Sequence, residues 1–136
     1  MSEESENKVA IVDGSNVAHS TERGAARLTN ILLVCEKLAE EGYESIVVVD
    51  AALRHQIDQE AEYEKLVDQG RIRQAPAGTD ADYFILSFAR ELEASIVSND
   101  RFRNREKSFP EVAERIIRYM IVNAEVVLER RTKRRA

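Results

Sequence analysis

Apolar residues in this chain follow two rhythms. Residues 9–12, 46–49 and 96–97 are unbroken aliphatic runs, Val-Ala-Ile-Val, Ile-Val-Val-Val and Ile-Val. Such runs predict strands over 8–12, 45–49 and 95–97 that are covered on both faces, as in a parallel sheet. Between them the period lengthens to three and four. Leu28, Ile31, Leu32, Cys35, Leu38 and Ala39 form one stripe, predicting a helix over 25–41 closed by Gly42. Ile57, Ala61, Tyr63, Leu66 and Val67 predict a thinner-faced helix over 54–69, stopped by Gly70. A third stripe, Phe84, Ile85, Phe88, Ala89 and Leu92, follows Thr79 or Asp80 as its cap. Residues 71–75 read as a short strand and 14–24 as a polar loop. Pro110 suits the start of a short helical turn. Beyond it, 115–122 alternates as a strand with Ile117, Tyr119 and Ile121 on one side, and 124–128 reads as an edge strand.

Strand and helix thus alternate, which predicts an α/β fold: a single three-layer domain with a mostly parallel central sheet. It is expected to span 8–129, between an acidic disordered tail at 1–7 and a mobile basic tail at 130–136. A chain of 136 residues is long enough for one such core. Its apolar runs fall far short of the ~20 residues a membrane span needs. The N-terminus has neither the basic start nor the apolar stretch of a secretory leader. No membrane contact and a cytoplasmic location are therefore expected.

Charge sharpens this picture. Residues 1–100 carry 9 Lys and Arg against 20 Asp and Glu, a net of −11, whereas residues 101–136 carry 11 against 5, a net of +6. That split points to an anionic partner reached by a local patch. Cys35 is the one cysteine, and its place in a helical stripe makes it a buried hydrophobe. With only His19 and His55 besides, a zinc site has too few ligands, so any metal would be held by oxygen, as Mg²⁺ or Mn²⁺ are.

The oxygens are at hand. In a parallel sheet the strand ends share one edge, where ligands bind. Asp13 ends the first strand, Asp100 follows the fourth, and Asp80 and Asp82 open a helix at the same edge; Asp50 lies there too, without polar neighbours. Converging carboxylates repel, and a divalent cation removes the conflict. Asp13, Asp82 and Asp100 are the candidate metal ligands. Asn16 can hold a metal-bound water or a phosphate oxygen, and Asp80, Asn104, Ser15 and Asn99 are supporting positions. Arg101, Arg103 and Arg105 can grip phosphates, as can Arg23 and Arg27 more weakly. Phe102 and Phe109 are candidates for base stacking or for the core under the loop, the latter preferred. His19 can hydrogen-bond substrate or move a proton, though a loop histidine more often does neither. An Asp-lined metal site beside arginines suits phosphodiester hydrolysis. An aspartyl phosphatase would want a second carboxylate two residues after Asp13, where Ser15 stands.

The stretches Asp13-Gly14-Ser15-Asn16-Val17-Ala18, Ala81-Asp82-Tyr83-Phe84-Ile85-Leu86 and Ile96-Val97-Ser98-Asn99-Asp100-Arg101-Phe102-Arg103 resemble, in order, the motifs of the PIN-like NYN ribonucleases of the Regnase type. Residues 114–123 resemble that family's last core strand. The resemblance implies a Rossmann-like sheet and a Mg²⁺- or Mn²⁺-dependent endoribonuclease acting on single-stranded or loop RNA. It gives Asp13, Asn16, Asp82 and Asp100 the site roles, with Asp13 and Asp100 on the metal and Asp82 on the metal or the attacking water. Family domains often pair, so a homo-oligomer is a further expectation. Two departures stand out: Ala81 replaces the first of two adjacent acids, and Asn104 stands where a further Asp often occurs. They keep open an alternative, a catalytically weak or inactive RNA-binding module on the same fold. The short 76–79 connection lacks the basic loop of some relatives, which leaves RNA contact to residues 101–107 and the basic tail.

Overall fold

The computed structural model describes residues 8–129; the expected tails at 1–7 and 130–136 lie outside the described residues. The chain runs β1 (Lys8–Asp13), α1 (Gly14–Ala18), α2 (Leu28–Glu40), β2 (Tyr43–Val49), α3 (Glu60–Asp68), β3 (Ile72–Gln74), α4 (Ala81–Leu92), β4 (Ser95–Val97), α5 (Val112–Arg115), β5 (Ile116–Ile117), β6 (Tyr119–Val122) and β7 (Glu125–Leu128). Five strands form a parallel sheet in the order β3-β2-β1-β4-β5, and β6 pairs with β7 in a separate antiparallel hairpin. The mostly parallel α/β architecture is as the aliphatic runs predict. No helix among the described residues is long and apolar enough to cross a membrane.

The sheet's two faces are read off β1. Ala10 and Val12 enter a core with Leu28, Ile31, Val34 and Leu38 of α2, while Ile11 enters the opposite core with Ile85, Leu86 and Ala89 of α4. Alternation is repeated on β4, where Ile96 faces α4 and Val97 faces α2. Each fully buried aliphatic side chain contributes about 1.5–3 kcal/mol relative to an exposed one. The chain lays β2 and β3 on one side of β1, then crosses back through α4 to place β4 on the other. The β1–β4 boundary is therefore the point where strand order reverses, and parallel α/β sheets bind ligands at the C-terminal edge of such a point.

Five expectations are corrected. The polar stretch after Asp13 is not all loop: Gly14–Ala18 is helical because Asp13 caps it, its Oδ1 accepting from the Asn16 N–H at 3.4 Å. Helix α2 starts at Leu28 rather than near residue 25, since the Ala25 N–H and the Arg27 N–H are drawn back to Glu22 and Ala18. Instead of one helix over 54–69 there is a 3-10 turn at Ala51–His55, capped by Asp50, followed by α3. Residues 115–122 are likewise not one strand. Ile116–Ile117 pair with β4, but the Asn99 side chain takes both the N–H and the C=O of Tyr119, at 3.1 and 3.0 Å, and the chain leaves the sheet for the hairpin. What reads as an edge strand at 124–128 is β7, pairing only with β6.

Candidate active site

Alternation along β1 puts Asp13 on the α4 face, and the β1–β4 register carries Ser98 opposite it. The two meet: Ser98 Oγ donates to Asp13 Oδ2 at 2.7 Å, with Ser98 fully buried and Asp13 nearly so. Burial is the main reason that the Asp13 carboxyl is pushed up from 3.8 to about 6. The Ser98 hydroxyl and the Asn16 N–H oppose the rise, and the charges of Asp82 and Asp100 add to it. Ser98 Oγ also accepts from the Asp100 N–H at 3.0 Å, so one hydroxyl ties the ends of β1 and β4 together. The Asp100 carboxylate is exposed and folds back on its own turn, Oδ1 accepting from the Phe102 N–H at 2.8 Å. Phe102 sits at φ 53°, left-handed backbone that lets the chain turn sharply there.

Asp82 enters from the first turn of α4, beside the same charges. Its proton affinity is raised by burial and by Asp100, lowered by Arg105, and raised further by Asp80 and Asp50. Asp80 is the helix cap, Oδ1 accepting from the N–H groups of Asp82 and Tyr83 at 3.1 and 3.4 Å. Its other oxygen pairs with the Arg105 guanidinium at 2.6 Å, and Arg105 also stands 3.9 Å from Asp82. Among the described residues, no group of three or more His, Cys, Asp and Glu side chains is drawn together tightly enough to cage a metal ion.

Asn16 is held from two sides. The Asn99 N–H and the Tyr119 hydroxyl both donate to its Oδ1, at 3.1 and 2.6 Å. Burial pushes the Tyr119 phenol up to about 12, against the nearby Ser20 hydroxyl and with Asp13 adding to the rise, so it stays a proton donor.

The structure thus brings Asp13, Asn16, Asp82, Asp100, Asp80 and Asn99 to one edge of the sheet. Ser15 stands at its side, Oγ accepting from the Asp50 N–H at 3.2 Å. Other candidates lie elsewhere or are otherwise engaged. Arg105 is not a free phosphate grip like the exposed Arg101 and Arg103, because it is paired with Asp80. Arg27 is paired with Glu22 and Asp58, Arg23 is exposed on the loop before α2, and Asn104 is exposed on the turn after Phe102. Phe102 and Phe109 are buried core, as preferred from the sequence. His19 is exposed and bonds back to the Ser15 carbonyl.

Three residues that the sequence reading passed over matter here. Ser98 was legible only as the polar residue closing the β4 run. Tyr119 carried a faint signal, a hydroxyl on the apolar side of its strand. Tyr83, next to Asp82, is 54% exposed, its ring braced edge-on by Phe84 and Phe109 at centroid distances of 6.3 and 6.0 Å.

Comparison with known proteins agrees with this architecture. A search of curated proteins returns no match. Among solved structures, nuclear proteinaceous RNase P 2 (PRORP2) from A. thaliana superposes with a TM-score of 0.76 at 22% identity, over 91% of this chain and 30% of that one. A second structure of Arabidopsis thaliana nuclear protein-only RNase P 2 gives 0.72 at 23% identity, over 88% and 29%. At that identity the likeness is one of fold, and this chain spans under a third of those proteins. The sequence itself, from residue 6 to residue 136, matches the Zc3h12a-like ribonuclease NYN domain, and the chain belongs to that family.

Proposed function

We propose that this chain is a divalent-metal-dependent endoribonuclease that hydrolyses phosphodiester bonds of single-stranded or loop RNA. One observation carries the reading: Asp13 is a buried carboxylate at the switch point of the sheet, held by Ser98, with its proton affinity raised by burial and by Asp82 and Asp100. Carboxylates so arranged are relieved by a hard cation, and a donor set made only of oxygen suits Mg²⁺ or Mn²⁺. Asp13, Asp82 and Asp100 are the residues that would hold it. Mg²⁺ is commonly bound through one or two carboxylates and keeps several waters, so a tight protein cage is not required of it. Bound there, the cation would supply a more acidic water and a countercharge for the phosphate.

The chain's own groups do the rest. Ser98 and the Asn16 N–H fix the orientation of Asp13. Asp82, in the first turn of α4, would hold the cation or orient the attacking water. Arg101 and Arg103 are free to contact flanking phosphates, and Tyr83 offers a braced, exposed ring to a base. The test is cleavage of an end-labelled single-stranded RNA in Mn²⁺, in Mg²⁺ and in EDTA, by the wild type and by Asp13→Asn. Internal cuts that need metal and fall by two to three decades in the variant support the reading, a loss of roughly 3–4 kcal/mol. Cleavage that ignores EDTA, or an Asp13→Asn protein at full activity, overturns it.

Arg105 favours a second reading. Its guanidinium already lies on Asp80 and near Asp82, supplying positive charge that a metal would bring. A non-catalytic RNA-binding module would show salt-sensitive RNA binding and no cleavage in either metal.

A further inference from the structure

Asn16 stands among the carboxylates, yet its hydrogen bonds leave it only one kind of chemistry. A backbone N–H can only donate, so the atom facing the Asn99 N–H at 3.1 Å is the amide oxygen, whichever way the amide is drawn. The Tyr119 hydroxyl, 2.6 Å from the same oxygen, must then donate as well. Two donors fill both lone pairs of Oδ1, which leaves none for a cation. Asn16 Nδ2 makes no hydrogen bond among the described residues and lies on the opposite edge of the amide. The two donors are themselves locked together. Asn99 Nδ2 donates to the Tyr119 carbonyl at 3.0 Å, and the Tyr119 N–H donates to Asn99 Oδ1 at 3.1 Å. A closed ring of hydrogen bonds thus joins α1, the end of β4 and the start of β6.

We propose that Tyr119 and Asn99 are positioning residues that hold Asn16 as a pure donor, its NH₂ group turned to a non-bridging oxygen of the scissile phosphate. The assignment rests on the endoribonuclease reading and narrows Asn16's part in it, from a metal-bound water or a phosphate oxygen to the phosphate oxygen alone. A fixed donor aimed at developing charge acts chiefly in the transition state, so its loss is felt in kcat rather than KM. Tyr119 touches no substrate and acts through Asn16.

The experiment is a double-mutant cycle on the labelled RNA, reading kcat, KM and thermal unfolding for Asn16→Ala, Asn16→Asp, Tyr119→Phe and the Asn16→Ala/Tyr119→Phe pair. Asn16→Asp keeps an oxygen for Asn99 and Tyr119 while replacing the donor by an acceptor, which separates function from folding. Expected are losses in kcat on the order of 10²-fold for both Asn16 variants. Tyr119→Phe should lose on the order of 10-fold in kcat with KM within about 2-fold, and the double variant should match Asn16→Ala alone. If Tyr119→Phe costs the same factor with and without Asn16, or if Asn16→Asp keeps its kcat, the proposal is overturned. Should the wild type bind the RNA without cutting it, the endoribonuclease reading falls, and the same cycle is read in RNA affinity in EDTA. There, weakening by Tyr119→Phe that vanishes on the Asn16→Ala background supports the lock, and equal weakening on both backgrounds overturns it. A wild type that neither binds nor cuts overturns both.

Discussion

Replacing the carboxylate at the centre of the site should make the protein more stable. Asp13 is ordinarily a group of pKa 3.8 and is held at about 6 in the fold. The folded state therefore binds its proton more tightly than the unfolded chain does. The stability that this contributes is fully present below about pH 4 and is lost as pH rises through about 6. At 1.36 kcal/mol per pH unit, the ionised Asp13 costs the folded state about 3 kcal/mol at neutral pH. Asp13→Asn removes that charge at nearly constant shape. The amide oxygen can still accept from the Asn16 N–H, and the NH₂ can donate to Ser98 Oγ, at a rewiring cost of about 1 kcal/mol. A net gain of about 2 kcal/mol near pH 7 follows, shrinking to nothing or reversing near pH 4. The assay is urea unfolding of both proteins in EDTA across that pH range; carboxylates that do not interact with Asp13 titrate in both and cancel in the difference. Mn²⁺ should then stabilise the wild type, by about 2.7 kcal/mol at a hundred times its Kd, and leave the variant unmoved. A variant that is less stable than the wild type near neutrality, or a difference that does not change with pH, would refute the reasoning.

Gly14→Ala should destabilise by about 1–3 kcal/mol, because a Cβ there would lie 2.5 Å from Val49 Cγ1 and 2.9 Å from Val47 Cγ1 on β2; an unchanged midpoint in urea would show that the strand yields. In the β6–β7 turn, Asn123 and Ala124 both have left-handed backbone, φ 51° and 63°, as a two-residue type I′ turn requires. Ala124→Gly should relieve about 1–2 kcal/mol of that cost and give back part of it to the looser unfolded chain, a net gain of about 0.5–1 kcal/mol in thermal unfolding. A lower melting temperature would count against it. Tyr83→Ala should weaken binding of single-stranded RNA about 5–150-fold while Tyr83→Phe stays near wild type, measured by fluorescence anisotropy; equal affinities would remove the stacking role.

The strands and their sharp ends were legible because each aliphatic run stops at a polar group that the next turn uses. Asp80 is a helix cap as well as a site residue, so local capping rules lead to it, whereas Asp13 is legible as the end of an aliphatic run and its cap on α1 is not. Less legible was anything whose partner is distant in sequence. Ser98 reads as a spacer until β4 is placed beside β1, and Tyr119 reads as another inward strand residue until its hydroxyl reaches α1. The three alternating arginines look equivalent in an extended chain. Left-handed backbone at Phe102 ends that equivalence: the chain turns, leaving Arg103 in solvent and bringing Arg105 to Asp80.

The misread strand over 115–122 and the lock on Asn16 have one origin. Parallel pairing of β5 with β4 runs as far as the Ser98 N–H, which donates to the Ile117 carbonyl at 3.2 Å. At the next position a side chain takes over from the ladder. Asn99 offers Tyr119 a carbonyl and an N–H from its own amide, in the two-way pattern that a neighbouring strand would present. Periodicity cannot register such a substitution, since the apolar alternation of Ile117, Tyr119 and Ile121 runs straight through it. Yet the exchange ends the sheet at the edge where the acids gather, and it frees β6 to turn into the hairpin. The same amide that stops the strand therefore sets the Tyr119 hydroxyl against Asn16.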